Sequence, residues 1–307
     1  MRALVATANP KFALELREVD EPTAAPNEAL IEVHAVSINR GELRLIGARP
    51  AGWRPGQDVA GVIARAAEDG SGPAVGTRVV ALVDQAGWSE RVPASVGRIG
   101  ILPEGVSFSQ AAGLPVAGLT ALRTLRLGGT LLGRSVLVTG ASGGVGHFAV
   151  QLAARSGARV TGISRDLARG EALVDSGDVR IAADSTTLQG PFDLILESVG
   201  GESLTAALRL VAPGGTIAFF GNSSGEESRL AFGSIMSAPH SRLCPFFVYA
   251  SGEPPSFGAD LTLLANEIGA GRLTPQVGLE GSWREPLAAL EAVRERHLLG
   301  KAVLSID

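Results

Sequence analysis

The sequence predicts an α/β protein in which a mostly β segment is joined to a doubly wound parallel sheet. Residues 1 to about 113 contain short stretches of alternating apolar and polar residues, separated by Gly and Pro. Many short strands at this spacing are typical of a barrel or a sandwich. From Ser135 onward, strand patterns alternate with helix patterns, and a glycine-rich turn follows the first of these strands. This alternation predicts a parallel sheet covered by helices.

The composition indicates two soluble domains. The chain has 307 residues, of which 45% are hydrophobic and 19% charged, enough to bury sizeable cores. A net charge of −4 argues against nucleic acid as a partner. We expect neither a signal peptide in residues 1–10 nor a membrane span, because both would need longer apolar stretches. Cys244 is the only cysteine, which fits a reducing, cytoplasmic setting.

The first segment is predicted to be built from strands with one buried face. Ile31, Val33 and Ala35 alternate with Glu32 and His34, which is the period of a half-buried strand. The same reasoning predicts strands over Met1–Thr7, Phe12–Leu16, Leu30–Val36, Val59–Ala66, Arg78–Leu82 and Trp88–Val92.

The middle of the chain is predicted to alternate between helix and strand. Ser107 is placed to cap one helix, and a second helix is expected over Leu114–Leu127. Six strands then predict the doubly wound sheet: Ser135–Thr139, Arg159–Ile163, Val179–Ala182, Phe192–Glu197, Thr216–Phe220 and Leu243–Tyr249.

The C-terminal segment is expected to return to the β domain. A helix is predicted over Ser256–Gly269 and a strand over Lys301–Ile306. Between them, Ser282-x-x-Glu285 followed by Pro286 has the pattern of a capping box that opens a second helix.

Three glycines follow the strand at Ser135 with regular spacing. Gly140, Gly143 and Gly146 lead directly into a helix pattern that begins at His147. Strand, glycine-rich turn and helix in this order are the fingerprint of dinucleotide binding, because the turn lets the backbone approach a pyrophosphate at the helix N-terminus. The alternative interpretation is an ordinary glycine-rich loop.

The residues after the next strand bear on the choice of nucleotide. Ser164 and Arg165 follow Ile163, where a group that binds the adenosine ribose is expected. Ser and Arg at this position favour a 2′-phosphate and therefore NADPH, and Arg169 lies one helical turn further on. Two alternatives stay open: both arginines are solvated surface groups, or Asp166 binds the ribose and favours NADH.

Several further short motifs occur in order along the chain: Val36-Ser37-Ile38-Asn39-Arg40, Pro55-Gly56-Gln57-Asp58-Val59-Ala60-Gly61-Val62, Gly76-Thr77-Arg78-Val79, Leu102-Pro103, Ala111-Ala112-Gly113-Leu114-Pro115, Gly118-Leu119-Thr120-Ala121, Asp193 to Gly201, and Gly300-Lys301-Ala302-Val303-Leu304. Together they resemble the medium-chain dehydrogenase/reductase superfamily, in particular its zinc-independent members of the quinone oxidoreductase type. The resemblance runs over nearly the whole chain, with Glu197 standing where the family has Asp.

The resemblance implies a domain organisation, a cofactor and a set of binding residues. It implies a GroES-like β-barrel catalytic domain from residues 1–115 and 255–307, an NADP-binding Rossmann domain from residues 116–254, and usually a homodimer. The cofactor is expected to be NADPH. The residues expected to bind it are Thr120, Ser142, Gly143, Gly144, Val145, Ser164, Arg165, Ser198, Gly221, Asn222, Ser223, Phe246, Phe247 and Val248.

Asn39 and Arg49 are the candidate catalytic residues. Asn39 matches a family position near the nicotinamide and the substrate, although an Asn that stabilises a turn is an equally good interpretation. In many relatives a Tyr stands in a G-x-Y-P turn, whereas this chain has Arg49 in Gly47-Ala48-Arg49-Pro50. Arg49 is either a hydrogen-bond donor to an acceptor oxygen or a solvated loop residue.

No metal site is expected. Catalytic zinc in this superfamily uses a Cys and a His-Glu pair, but there is no Cys near Asn39 and the pair is replaced by Gln57-Asp58. Without a Lewis acid, the hydride acceptor should delocalise its own negative charge. We therefore expect NADPH-dependent reduction of a quinone or an α,β-unsaturated carbonyl, a small electrophile. The alternatives are an enoyl-thioester reductase of a biosynthetic pathway and a non-catalytic NADPH-binding sensor.

Overall fold

The computed structural model describes residues 1–8, 14–251 and 256–307. The chain divides into two compact units. The first unit comprises Met1–Leu119 and Glu253–Asp307, and the second comprises Thr120–Gly252. Part of the predicted strand Phe12–Leu16 lies outside the described residues.

The strands, in chain order, are β1 Arg2–Ala6, β2 Leu14–Glu18, β3 Glu28–Ile38, β4 Asp58–Arg65, β5 Arg78–Leu82, β6 Arg91–Ser95, β7 Ile99–Ile101, β8 Ser135–Thr139, β9 Arg159–Ile163, β10 Val179–Ala182, β11 Phe192–Glu197, β12 Val211–Phe219, β13 Arg242–Pro245, β14 Val277–Ser282 and β15 Lys301–Ser305. The α-helices are α1 Arg40–Ala48, α2 Phe108–Ala112, α3 Pro115–Arg126, α4 Gly146–Arg155, α5 Leu167–Glu171, α6 Gly201–Leu210, α7 Phe232–Met236, α8 Phe257–Gly269 and α9 Leu287–Glu295.

The first unit is built on a seven-stranded sheet with β3 near its centre. The strand order is β14-β15-β3-β4-β5-β7, and β6 pairs with the first half of β3. All of these pairings are antiparallel except that between β14 and β15. Along β3, Ile31, Val33 and Ala35 are buried while Glu32 is exposed and His34 is half-buried, so the alternation predicted from the sequence is confirmed. The strands β1 and β2 form a separate antiparallel pair.

Helix α1 has identifiable start and stop residues. The Glu42 carboxylate accepts a hydrogen bond from the backbone N–H of Asn39, the residue before the helix, at 2.8 Å. The helix ends at Ala48 because Arg49 precedes Pro50, and a residue before proline is pushed into the extended region. Arg49 has φ −90° and ψ 152°, as this steric rule requires.

The second unit contains a six-stranded, all-parallel sheet. Its strand order is β10-β9-β8-β11-β12-β13, which is the doubly wound Rossmann order with β8 as first strand. The predicted parallel sheet is confirmed, and four of its six strands have the predicted bounds. Phe148 and Val150 of α4 are fully buried.

Several local predictions are wrong. The sixth strand stops at Pro245, which has no N–H to extend the ladder, and a 3₁₀ helix at Val248–Ala250 follows. Tyr249 therefore does not end a strand. Ser282 ends β14 instead of opening a capping box, and α9 begins only after Pro286.

Two strand bounds also differ from the prediction. The strand predicted over Trp88–Val92 lies at Arg91–Ser95. Trp88 precedes this strand as a fully buried residue, and its indole N–H donates to the Ser37 carbonyl at 3.3 Å. The fifth strand of the parallel sheet begins at Val211, five residues before the predicted start. Among the residues that the structure describes, no helix has the length and apolarity to cross a membrane.

Candidate functional site

The turn between β8 and α4 brings its backbone into unusually close contact. Gly140 has φ +62°, in the left-handed region that favours glycine. A Cβ on Gly146, the first residue of α4, would lie 2.2 Å from the Gly140 carbonyl oxygen. Only glycine fits there, and the first N–H groups of a helix have no partners within it. The turn is therefore a backbone cradle at a helix N-terminus, suited to an anionic phosphate group.

Ser142 in this turn contacts the end of the neighbouring strand. The Ser164 hydroxyl, just after β9, lies 3.0 Å from the Ser142 hydroxyl and donates to the Asp166 carbonyl at 2.6 Å. Ser164 is buried, whereas Arg165 is exposed. Ser142 follows β8 and Ser164 follows β9, and these two strands are parallel neighbours in the sheet. Both residues therefore lie at the carboxyl edge, where such sheets bind ligands.

The carboxylate of Asp166 already has partners within the chain. It caps α5 by accepting the Arg169 backbone N–H at 3.3 Å, and it pairs with the Arg169 guanidinium at 2.9 Å. Arg165 is exposed beside this pair. The Asp166 side chain nevertheless stays 48% exposed, so the side chains of Arg165 and Asp166 are both accessible at this strand end.

Ser198 connects β8 to the segment after β12. Its backbone N–H donates to the Thr139 hydroxyl at 2.9 Å and its own hydroxyl donates to the Thr139 carbonyl at 3.1 Å. Its carbonyl accepts the Ser223 N–H at 3.1 Å. The glycine-rich turn, Ser198 and residues 221–223 are thereby brought together at one edge of the sheet.

The fully buried carboxylate of Glu197 holds this loop in place. It accepts hydrogen bonds from the backbone N–H groups of Val199 at 3.0 Å and Gly200 at 2.9 Å, and from the Ser203 hydroxyl at 2.7 Å. In the sequence, Glu197 stands out only because the family motif has Asp at this position. Its role depends on side-chain geometry that the motif does not reveal.

A cavity of about 460 Å³ opens beside β12 and β13. Predicted cofactor residues line it, together with Phe219 and Phe220: Gly221, Asn222, Phe246 and Phe247. Val248 is buried in the adjoining 3₁₀ helix, and Thr120 is buried in α3, where its carbonyl accepts the Thr124 hydroxyl at 2.6 Å. The structure therefore brings most of the predicted cofactor residues to one edge of the sheet and places Thr120 on a separate element.

In the first unit, Asn39 belongs to a polar network with Asp58 and Lys301. The Asn39 amide nitrogen donates to Asp58 at 2.8 Å, and the Asn39 amide oxygen accepts from the Lys301 ammonium at 2.5 Å. Lys301 also forms an ion pair with Asp58 at 3.2 Å. Asp58 is 0% exposed and Lys301 is 4% exposed. Sequence reasoning gave neither residue a role, although both belong to motifs that carry the family resemblance.

Glu42 is a second buried carboxyl group beside this network. Its two oxygens accept the backbone N–H groups of Asn39 at 2.8 Å and Gly56 at 3.1 Å. Burial away from water, followed by the nearby charge of Asp58, raises the pKa of Glu42 from 4.5 to about 8. Glu42 is therefore mostly protonated at neutral pH.

The two candidate catalytic residues lie at opposite ends of α1. Asn39 precedes the helix and Arg49 follows it as an exposed residue. The two positions are ten residues apart in the chain, a separation that corresponds to about 15 Å along a helix axis. The structure therefore does not bring Asn39 and Arg49 together on one small acceptor.

The described residues contain no group of three or more His, Cys, Asp or Glu side chains that could hold a metal ion. The Lys301 ammonium contacts one side-chain oxygen of Asn39 and one of Asp58.

Comparisons with known proteins agree with this geometry. Residues 25–121 match the alcohol dehydrogenase GroES-like domain, and residues 144–266 match the zinc-binding dehydrogenase family. The chloroplast envelope quinone oxidoreductase homolog of Arabidopsis thaliana is 36% identical over 164 residues, 48% of this chain and 50% of that protein. The chain spans about half or less of the length of the curated relatives it matches first.

Solved structures share the whole fold. A mycobacterial protein solved in complex with NADPH superposes with a TM-score of 0.87 at 23% identity, covering 100% of both chains. CurK enoyl reductase superposes with a TM-score of 0.84 at 24% identity, covering 100% of this chain and 99% of that one. The predicted combination of a GroES-like domain and a Rossmann domain is confirmed.

The fold and these matches define a two-domain dehydrogenase/reductase. More specifically, the chain belongs to the medium-chain dehydrogenase/reductase superfamily and is of the quinone oxidoreductase type.

Proposed function

We propose that this chain is an NADPH-dependent, zinc-independent oxidoreductase that reduces a quinone or an activated alkene such as an α,β-unsaturated carbonyl. The observation that carries the proposal is the cradle at Gly140 and Gly146, which follows the carboxyl end of β8, the strand that lies next to β11 in the sheet. The strand order of the sheet reverses there, and open α/β sheets bind ligands at such a point. The likeness to a quinone oxidoreductase homolog and to a structure complexed with NADPH supports it.

The proposal assigns one role to each part of the chain. Residues 116–254 would hold NADPH, and residues 1–115 with 255–307 would supply the groups that act on the acceptor. The cradle fits a pyrophosphate because a side chain at Gly146 would close it. The remaining cofactor residues named above would surround the adenosine and nicotinamide ends.

The choice of NADPH over NADH rests on Arg165. Asp166, the competing ribose ligand, is paired with Arg169 and caps α5. The exposed Arg165 guanidinium is suited to a 2′-phosphate, because guanidinium groups bind phosphate with two parallel hydrogen bonds. Ser164 at the same strand end is buried, and its hydroxyl already donates to the Asp166 carbonyl, so Arg165 is the side chain on which this choice depends.

The chemistry of the acceptor follows from the groups present in the first unit. When bound, the nicotinamide supplies a hydride. Addition of hydride to a conjugated carbon moves negative charge onto the acceptor's own oxygen, where a few hydrogen-bond donors suffice to stabilise it. Asn39 is the donor we favour, and a proton from water then completes the reduction. A saturated ketone would instead need a Lewis acid to stabilise a localised alkoxide.

A stopped-flow experiment tests the proposed function. Purified protein is mixed with NADPH and, in separate runs, a quinone, an enone, an enoyl thioester and a saturated ketone. We expect the nicotinamide absorbance to decay with the quinone or the enone, not with the saturated ketone, and at the same rate after treatment with a chelator. Rapid turnover of the saturated ketone, or loss of activity with the chelator, would overturn the proposal.

An enoyl thioester is the second candidate acceptor. The shared fold with CurK enoyl reductase favours it, and it is also an activated alkene. Turnover of the thioester without turnover of the quinone would select this candidate. Tight NADPH binding with no turnover of any acceptor would instead indicate a sensor.

We further propose that the chain forms a homodimer through β13. This strand ends the parallel sheet among the described strands, and Leu243 on it is partly exposed. The short helix α7 just before it exposes Phe232 (78%) and Met236 (60%). Edge strands and exposed apolar side chains are both features that proteins commonly cover by association.

A further inference from the structure

The ion pair between Asp58 and Lys301 is unusual because both partners are buried. Lys301 is one of only two lysines in a chain whose 27 basic residues are otherwise arginines. Burying two opposite charges rarely stabilises a fold more than apolar side chains of similar size would. A buried pair of this kind therefore points to a role in fixing the position of a neighbouring group, and not to a gain in the stability of the fold.

The pair contacts both ends of one side-chain amide. Lys301 donates to the Asn39 oxygen at 2.5 Å, and Asp58 accepts from the Asn39 nitrogen at 2.8 Å. Turning the amide over would place its N–H₂ against the ammonium and its oxygen against the carboxylate. Both contacts would be repulsive, so the network fixes one orientation of the Asn39 amide.

Asp58 is fully occupied by structural contacts. One oxygen accepts from the Ser37 hydroxyl at 2.6 Å as well as from Asn39 and Lys301, and the other accepts the Val116 N–H at 2.9 Å. Because Asp58 is also 0% exposed, its carboxylate has no direct access to a substrate. Asp58 can therefore act on a bound substrate only through the side chain of Asn39.

The Asn39 amide keeps one N–H for another partner. An amide nitrogen has two N–H donors, and within the part of the chain that the structure describes only Asp58 accepts from it. Asn39 is half-buried, whereas Asp58 and Lys301 are not accessible. Lys301 also draws electron density from the amide oxygen, which strengthens the remaining N–H as a donor.

We propose that Lys301 and Asp58 are positioning residues that hold the Asn39 amide so that its second N–H donates to the oxygen of the hydride acceptor. This inference rests on the proposed function. The hydride comes from the nicotinamide nucleotide, the electron pair moves through the conjugated system onto that oxygen, and a proton from water is added. The Asn39 N–H stabilises the oxygen and is not transferred.

A double-mutant cycle tests the proposal with the full chain. We expect Asn39→Ala to lower kcat about a hundredfold, as removal of one oxyanion donor does, and Lys301→Met to lower it about tenfold. In the Asn39→Ala background, Lys301→Met should change kcat less than twofold, because its effect passes through the amide. The dissociation constant of NADPH, followed by its fluorescence, should stay within twofold in all variants.

The outcome of the cycle separates positioning from general structural damage. An equal effect of Lys301→Met with and without Asn39 would overturn the proposal, as would unchanged activity of Lys301→Met. If Lys301→Met does not fold, Lys301→Met combined with Asp58→Asn removes both charges and enters the same cycle. Lys301→Arg keeps the cation and should recover part of kcat, whereas the combined neutral variant should not.

A spectroscopic measurement keeps the test independent of turnover. Lysine labelled with ¹³C at the ε position gives only two signals in this chain, and Lys11→Arg assigns them. We expect Asn39→Ala to shift the Lys301 signal and Arg49→Ala to leave it in place. If wild-type protein reduces no acceptor, the proposed function fails, while an unshifted Lys301 signal would refute the positioning contact itself.

Discussion

Gly146 lies directly against the carbonyl of Gly140, so closely that a Cβ at position 146 would sit 2.2 Å from the Gly140 oxygen. The proposed phosphate cradle depends on this contact. Gly146→Ala should force the turn outward and raise the dissociation constant of NADPH at least tenfold, roughly 1.4 kcal/mol. Titration of NADPH fluorescence measures the change.

Gly233→Ala is the matched control for this prediction. Gly233 lies in α7 of the same unit, and a Cβ there would meet no atom within 4 Å. Its affinity for NADPH should equal that of the wild type. Wild-type affinity in a correctly folded Gly146→Ala variant would contradict the assignment of the cradle.

Arg165 should discriminate between the two nicotinamide nucleotides. Arg165→Ala removes a charged hydrogen-bond donor, which is worth about 1.5–3 kcal/mol, so KM for NADPH should rise tenfold or more. KM for NADH should change less than twofold, because NADH has no 2′-phosphate. Steady-state kinetics with each nucleotide, at saturating acceptor, measure the two effects.

Arg209→Ala serves as its control. Arg209 lies in the last turn of α6, the end away from the carboxyl edge of the sheet, and pairs with Glu202 at 3.4 Å. It should leave both KM values unchanged. Equal losses for NADPH and NADH in Arg165→Ala would instead favour Asp166 as the ribose ligand.

Glu42 should make the stability of the chain depend on pH. Its pKa is about 8 in the folded chain and returns to the usual 4.5 on unfolding. Between these values the folded state binds the additional proton, so the free energy of unfolding should fall as pH rises from 4.5 to 8 and level off above. Each pKa unit corresponds to about 1.4 kcal/mol, giving a total effect of several kcal/mol.

Glu42→Gln isolates this contribution. Both oxygens of Glu42 accept backbone N–H groups, so Gln would place an N–H₂ against one of them and lower stability by about 1–3 kcal/mol at all pH values. The decline over the pH range should nevertheless become shallower than in the wild type. Urea unfolding followed by circular dichroism measures both slopes, and parallel slopes would rule out a raised pKa at Glu42.

The proposed dimer should dissociate when charge is placed on β13. Leu243→Asp puts an unpaired carboxylate on an edge strand, where burial against a second copy would be costly. Light scattering after gel filtration should show the mass halved. Leu132→Asp, at another exposed leucine of the same unit, should not change the mass. A monomeric wild type would refute the proposed association directly.

Elements governed by local rules were predictable from the sequence. The Ser107 hydroxyl accepts the Gln110 backbone N–H at 3.1 Å, and the Gln110 side-chain oxygen accepts the Ser107 backbone N–H at 3.0 Å, as a capping box requires. The glycine-rich turn was equally readable, because strand, turn and helix are consecutive. Pattern alone also misled: Ser282 and Glu285 have capping-box spacing, but Ser282 is held in β14 by pairing with Ser305 of β15.

The network at Asn39 could not be read from the sequence. Asn39 and Lys301 are 262 residues apart in the chain, and their contact exists because β15 pairs with β3. The motif around each residue indicated family membership but not which atoms would meet. Such contacts depend on sheet register, which single-sequence patterns leave undetermined.

The position of β15 between β14 and β3 also bears on how the chain folds during synthesis. Strand β3 lacks its neighbour β15 until residue 305 has left the ribosome. Residues 120–252, by contrast, can fold much earlier as a unit. Until residue 305 has emerged, the carboxylate of Asp58 does not have the Lys301 ammonium beside it, and residues 35–38 of β3 lack their partner β15 and are open to pairing with other chains. Nascent chains arrested before residue 301 should therefore depend on chaperones more than completed ones.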